Sequence, residues 1–274
     1  MAAKPSIGFM GLGIMGSVMS AHVARAGYPV VVYNRTKREL PEHQGLEIAW
    51  ADSPLDLARS SSVIILMLTG PEACNELVFG LGGADQGLAG KTLVNMSTVP
   101  AAYSKELAAR LADHGCDFCE APVSGSRLPA ETRELVILAG GEEMVVKRLE
   151  NLLLTMGKKV VHCGPVGSAA TMKLSLNLLL GVMMTGLSEA VSLADKGGVA
   201  KEAFLEAVLA GPLSCGLFTM KRDMLATGDF PAQFPLKHMA KDLSFAVSEA
   251  DGAASFSPLL RLVSGLFRQG LAQD

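Results

Sequence analysis

The sequence predicts an α/β protein with a doubly wound, parallel-stranded N-terminal domain, one long connecting helix and an all-α C-terminal domain. Three observations predict it. Through the first half, short β-branched or apolar runs alternate with helix-forming stretches, the pattern of repeated βαβ units feeding a parallel sheet. After the glycines at 164 and 167 no convincing strand run follows. The stretch 169–196 is rich in good helix formers and poor in breakers, which reads as a single helix.

Taken in order, strands are expected over residues 6–10, 29–33, 63–67, 92–95, 117–121, 134–139 and 159–163. The valines at 30–32 and the Val-Ile-Ile-Leu run from 63 are the clearest of them. Helices are expected over 14–26, 53–59 and 101–114, and then over 169–196. The remaining helical half is punctuated by Gly211-Pro212, Gly228-Asp229 and Phe234-Pro235. A chain of 274 residues exceeds the usual single core, so the expected domains are residues 1–167 and residues 168–274. No internal repeat or low-complexity tract is visible.

Composition excludes several classes. With 24 basic and 27 acidic residues the net charge is −3, and no basic stripe is available to neutralise phosphates, so no nucleic-acid partner is expected. Five scattered cysteines do not suit a secreted disulfide framework. Cys116 and Cys119 have redox or zinc spacing but lack a companion pair, and read as reduced thiols packed near a strand. The five histidines form no ligand cluster, so no metal is expected. The apolar stretch 174–191 carries Ser175, Asn177, Thr185, Ser188 and Glu189, which fits a buried or interfacial helix better than a membrane span. With no targeting signal read, the expected location is the cytoplasm.

The first expected strand runs directly into Gly11-Leu12-Gly13-Ile14-Met15-Gly16, which opens a helix. In that context G-x-G-x-x-G reads as the dinucleotide loop of a Rossmann-type domain. Gly11 permits the tight turn, Gly13 allows backbone to approach a pyrophosphate, and Gly16 allows helix and strand to pack closely. The helix N-terminus offers free N–H groups to phosphate. NAD-selective sites usually end the second strand with a carboxylate for the ribose 2′-OH. Here that position is Asn34, followed by Arg35, Thr36, Lys37 and Arg38. A 2′-phosphate would meet guanidinium instead of a repelling carboxylate, so the expected cofactor is NADP(H).

Further motifs carry a family resemblance. Asn95-Met96-Ser97-Thr98, Glu120-Ala121-Pro122-Val123-Ser124-Gly125-Ser126, Gly164-Pro165-Val166-Gly167-Ser168, Met172-Lys173-Leu174-Ser175-Leu176-Asn177 and the run from Phe234-Pro235 to Lys241-Asp242 follow one another in order. Together with the glycine loop they resemble the β-hydroxyacid dehydrogenases over almost the whole chain, and most of all the glyoxylate/succinic semialdehyde reductases. Read physically, Lys173 and Asn177 are spaced i, i+4 and share one helix face. An ammonium there can protonate a carbonyl oxygen as hydride reaches its carbon, and in reverse a neutral lysine takes the alcohol proton. Asn177 can hold the lysine or the substrate oxygen. The charge of Lys173 stands among apolar neighbours, which asks for a functional reason. The resemblance implies the same roles for both.

The resemblance also implies Ser124, Gly125 and Ser126 as the substrate-carboxylate anchor, with Phe234 and Asp242 as pocket residues from the helical domain. It implies Thr98 and Lys241 as cofactor contacts, and Met67 and Leu68 as an apolar wall beside the cofactor. For Met67, core packing is an equal account. His238 is expected to pack or hydrogen-bond without direct chemistry. All these place the site in a cleft between the domains. The implied activity is reduction of a small carboxylate-bearing aldehyde to its hydroxy acid.

Two departures bear on that. Where such reductases have an Asn-Pro-Met-Phe stretch, this chain reads Ser214-Cys215-Gly216-Leu217-Phe218, which leaves the substrate open. It also stops at Asp274 about where such relatives continue, which bears on subunit packing. A 3-hydroxyisobutyrate or tartronate semialdehyde enzyme is the alternative within the family. Imine reductases typically lack the lysine, and a phosphosugar acid dehydrogenase should carry a richer basic set. A non-catalytic dinucleotide-binding protein is the alternative of another class, and should have lost Lys173. The apolar length of the connecting helix predicts a homodimer or homotetramer.

Overall fold

The computed structural model describes residues 4–231 and 233–273. Residues 1–3, 232 and 274 of the two expected domains lie outside the described residues. In chain order the strands are β1 (Ile7–Met10), β2 (Val30–Tyr33), β3 (Ile48–Trp50), β4 (Val63–Leu66), β5 (Thr92–Asn95), β6 (Asp117–Glu120), β7 (Val123–Ser124), β8 (Leu135–Gly140) and β9 (Gly157–Gly164). The helices are α1 (Gly16–Arg25), α2 (Pro54–Ser60), α3 (Pro71–Phe79), α4 (Ala101–Asp113), α5 (Arg127–Glu131), α6 (Glu143–Leu153), α7 (Ser168–Lys196), α8 (Lys201–Ala210), α9 (Gly216–Thr227), α10 (Leu236–Gly252) and α11 (Pro258–Leu271).

The nine strands form one sheet in the order β3-β2-β1-β4-β5-β6-β8-β7, with β9 paired to β8. From β3 to β6 every pairing is parallel. β1 and β4 are buried along their whole length, as strands covered by helices on both faces must be. The chain leaves β1 toward β2 and returns to β4 on its other side. The carboxyl ends of β1 and β4 thus flank the switch point where ligands of open α/β sheets bind. At the far edge the parallel run ends, because β8 runs antiparallel to both β6 and β7. The connection from β7 to β8 holds only the five-residue α5, too little for a parallel crossover.

Each face of the sheet has its own core. Phe9, Ile65, Val94 and Cys119 face one side, and Met10, Leu66, Leu93 and Phe118 the other. The paired thiols therefore point to opposite faces. Burial holds Cys116 at about 11 and Cys119 at about 12, which fits packed, protonated thiols. Among the described residues no three His, Cys, Asp or Glu side chains converge as a metal site.

The second half is helical. α7 spans 29 residues, roughly 44 Å at 1.5 Å per residue. Its length and apolarity would suffice to cross a membrane, but here it is a spine for the fold. Leu174 joins Met239, Leu243, Leu260 and Val263 in one cluster, and Leu187 and Val191 join Leu205 in another. At Gly181 a methyl would already stand 3.2 Å from both Met239 and Val263, so glycine is what lets α10 and α11 seat there.

Candidate active site

The glycine loop follows from backbone geometry. Gly11 has φ +96, and a Cβ there would lie 2.3 Å from the Met67 carbonyl oxygen. A Cβ on Gly16 would lie 1.9 Å from the Gly11 carbonyl oxygen. Gly13, by contrast, has nothing within 4 Å of the corresponding position, so its backbone is open to an incoming group. α1 starts at Gly16 with no side-chain cap and no acidic residue in its first turn. Those uncapped N–H groups and the bare Gly13 surface suit the phosphates of a dinucleotide.

Asn34 directly follows β2 and ties the loop down. Its Oδ1 accepts from the Leu12 N–H at 3.0 Å, and its Nδ2 donates to the Thr36 carbonyl at 2.8 Å. Arg38 donates to the Leu12 carbonyl at 2.8 Å, and Lys37 pairs with Asp52 at 2.8 Å. Arg35 stands apart, its side chain 82% exposed and 4.0 Å from an exposed Glu76 carboxylate. Of the basic residues after β2, it is the one whose guanidinium is least committed.

Beyond the loop a cleft opens between the halves. Its wall from the first half is Gly13 to Gly16, Met67, Leu68, Met96, Thr98, Val123, Gly125 and Ser126. Leu68 is fixed by donating its N–H to Ser97 Oγ at 2.9 Å. From the second half come Lys173, Phe234, His238, Lys241 and Asp242. Ser124 is not part of this wall. It sits in β7 opposite Val136, and the turn after it, with Gly125 at φ +128, presents Gly125 and Ser126 instead.

On the second-half wall of the cleft Lys173 is part-buried on α7. Burial pushes its pKa down to about 8. The Asp242 carboxylate opposes this, and Lys241 adds a smaller downward push. Asn177, one turn on, is fully inside and donates Nδ2 to Asp242 Oδ2 at 2.7 Å. One of the two N–H groups of the Asn177 amide is thus given to Asp242. Lys241 lies 2.8 Å from Asp242 Oδ1, donates to the Thr98 carbonyl at 3.1 Å, and stands over the Phe245 ring. One lysine thus links the two halves beside Lys173.

Two residues, Glu249 and Glu120, were not anticipated in these places, and His238 was expected only to pack or hydrogen-bond. His238 lines the cleft, its ring 6.2 Å from that of Phe234. Burial, then the Lys241 and Lys237 charges, hold it below the usual histidine value. Its spacing from Lys241 and Asp242, i, i+3 and i+4 on α10, is the signal that marks it. Glu249 joins α10 to both other parts, accepting from the Ala101 N–H and from Thr171 Oγ1. Glu120, 1% exposed, accepts from the N–H groups of Gly167 at 2.8 Å and Ala169 at 2.7 Å. Nothing local in sequence points to these last two partnerships.

Comparison with known proteins bears on the whole chain. A family model described as the NAD-binding domain of 6-phosphogluconate dehydrogenase matches residues 6–164. A second, described as the NAD-binding of NADP-dependent 3-hydroxyisobutyrate dehydrogenase, matches residues 167–274. The chain is 35% identical over 267 residues to glyoxylate/succinic semialdehyde reductase 1 of Arabidopsis thaliana, covering 96% of this chain and 91% of that protein. It is 34% identical over 264 residues to the chloroplastic reductase 2 of the same plant, covering 96% and 74%. The 3-hydroxyisobutyrate dehydrogenase of Mycobacterium tuberculosis, solved with L-serine, shares the fold with a TM-score of 0.87. That match covers 98% of this chain and 94% of that one at 24% identity.

Proposed function

The chain belongs to the β-hydroxyacid dehydrogenase family, and from that premise we propose that it reduces a small aldehyde acid with NADPH, using Lys173 as proton donor. It is an NAD(P)-dependent oxidoreductase of that family; the substrate, the choice of NADPH and the residue roles are our reading. The observation that carries the reading is Lys173, a lysine of lowered pKa facing a cleft that runs to the glycine loop. When bound, the cofactor supplies a hydride to the carbonyl carbon. The Lys173 ammonium gives its proton to the carbonyl oxygen, so aldehyde becomes alcohol and the lysine is left neutral until solvent reprotonates it. Backbone N–H groups and the hydroxyl around Gly125 and Ser126 take the carboxylate, with Ser124 shaping the turn. Phe234 shields the reacting carbon from water. Asp242, held by Asn177 and Lys241, keeps a negative charge near Lys173. In this reading residues 1–167 hold the cofactor and residues 168–274 cover the substrate.

The relatives named glyoxylate/succinic semialdehyde reductase make those two aldehyde acids the first choice. The direct test is oxidation of NADPH, followed by its absorbance, against glyoxylate, succinic semialdehyde, tartronate semialdehyde and methylmalonate semialdehyde. Turnover of one or two supports the reading, and silence across the panel with NADPH still binding overturns it.

Preference for NADPH rests on Asn34 and the exposed guanidinium of Arg35. One exposed charge-assisted contact is worth about 1.5 kcal/mol, so Arg35→Ala should raise the KM for NADPH about tenfold and leave that for NADH unchanged. Equal effects on both cofactors would remove Arg35 from the 2′-phosphate.

We further propose a homodimer or larger homo-oligomer working in the cytoplasm. Support comes from apolar side chains left exposed along the spine and the last helix, among them Leu179 (55%), Leu193 (77%), Leu259 (56%) and Leu262 (61%). Light scattering at micromolar concentration should give a multiple of 28.6 kDa; a monomer would reject the proposal.

A further inference from the structure

Lys173 is bracketed by two ties, each one helical turn away. On one side Asn177, at i+4, is fastened to Asp242 by a 2.7 Å hydrogen bond. On the other, Ala169, at i−4, donates its N–H to Glu120 Oε1 at 2.7 Å. Residues four apart share a helix face, so the Glu120 tie acts on the strip of α7 that carries the lysine. Gly167 and Ala170 donate to the same oxygen at 2.8 and 3.4 Å. These N–H groups belong to the helix start, where backbone donors lack partners within the helix. The cap comes from the end of β6, far away in sequence, because Gly167 has no side chain of its own to offer.

The surroundings are built to admit this carboxylate. A Cβ on Gly140, the β8 residue paired with Glu120, would come within 2.4 Å of Oε1. Gly167 takes φ +100 with the Lys105 stem packed against it, which turns the chain into the helix at the right point. Ala169 and Ala170 are buried, so solvent does not compete for their N–H groups. Among the described residues Glu120 Oε2 has no partner, and the Gly167, Ala169 and Ala170 N–H groups all converge on Oε1.

We propose that Glu120 is a positioning residue that fixes where Lys173 enters the cleft, by clamping the first turn of α7 to the end of β6. It does not reach the cleft itself. This rests on Lys173 as the acid/base of the reaction. Glu120→Ala frees the helix start. A misplacement of about 1 Å at a reacting group costs on the order of 10²-fold in rate, so kcat should fall by about that factor with the KM for NADPH unchanged. The dry setting of Lys173 loosens as well, so its pKa rises from about 8 toward the ordinary lysine range. Glu120→Gln keeps an oxygen for the Ala169 and Gly167 N–H groups and should retain kcat and the pH profile, even with reduced thermal stability. Glu120→Asp, one methylene too short to reach, should behave as Glu120→Ala and serves where the alanine variant fails to fold.

The pKa of Lys173 is read independently of turnover, from the pH dependence of its acylation by a small anhydride, quantified by mass spectrometry on the intact protein. A raised labelling pKa in Glu120→Ala or Glu120→Asp, restored in Glu120→Gln, supports the clamp whether or not Lys173 is the catalytic group. If Lys173→Ala retains activity, the functional reading falls while the labelling result still decides the positioning claim. Folded Glu120→Ala or Glu120→Asp with unchanged kcat and unchanged Lys173 labelling overturns it.

Discussion

Lys173→Ala is expected to lose nearly all aldehyde reduction, about 10²–10⁴-fold in kcat/KM, the range a positioned general acid supplies. NADPH binding should be untouched, because the glycine loop, Asn34 and Arg35 lie in the other half of the protein. Lys173→Arg is no substitute: its guanidinium keeps a charge near Asp242 but stays protonated above pH 12 and gives up a proton poorly. Isothermal titration with NADPH alongside steady-state rates separates the two effects. Retained turnover in Lys173→Ala, or joint loss of NADPH binding and rate, would remove the lysine from its role.

The pH dependence follows with a definite sign. Burial and Lys241 disfavour the charged form of Lys173, which sits at about 8 against an ordinary value of 10.5. Reduction needs the ammonium, so kcat/KM should be level below that pH and fall as pH rises through it. Oxidation of the hydroxy acid needs the neutral amine and should rise over the same interval. Asp242 works against the shift, so Asp242→Asn should move both limbs to lower pH. A limb that stays near 8 after that substitution would mean that the carboxylate does not act on this lysine.

Much of this arrangement is legible in the sequence because it depends on local pattern. β1 and β4 are apolar runs feeding glycine or polar turns, and the helix start at Gly16 is set by a spacing of glycines. β3 and β7 were not anticipated. The first is three residues at an edge, two partly buried and Ala49 exposed, and the second is two residues that exist as a strand only because β8 returns alongside. The same division holds in the cleft. That Lys173 and Asn177 share a face follows from helical periodicity, but periodicity does not say which neighbour faces them. Asn177 turned out to hold Asp242, 65 residues on. The Glu120 contacts span 47 to 50 residues and join the end of a strand to the start of a helix. Such partnerships belong to the tertiary fold, and no spacing rule within one element reaches them.

Two glycines of the same loop should fail in opposite ways. In Gly16→Ala the new methyl meets the Gly11 carbonyl oxygen at 1.9 Å and the Phe9 ring at 3.2 Å. Both belong to the strand–turn unit, so helix and strand must separate. Forcing a methyl into such a contact costs up to about 3 kcal/mol, which lowers the melting temperature by on the order of 10 °C for a chain of this size. Gly13→Ala meets nothing within 4 Å and needs no positive φ. Its fold should be kept or slightly stabilised, by about 0.4–1 kcal/mol through the unfolded chain. The methyl would instead stand on the surface offered to the pyrophosphate, so NADPH affinity should fall at least about tenfold, or 1.4 kcal/mol. Calorimetric melting and NADPH fluorescence titration on both variants make the comparison. If Gly13→Ala bound NADPH as tightly as the parent protein, the cofactor would have to lie elsewhere than against this loop. If Gly16→Ala melted unchanged, the close packing of α1 on β1 would not be what holds the loop in shape.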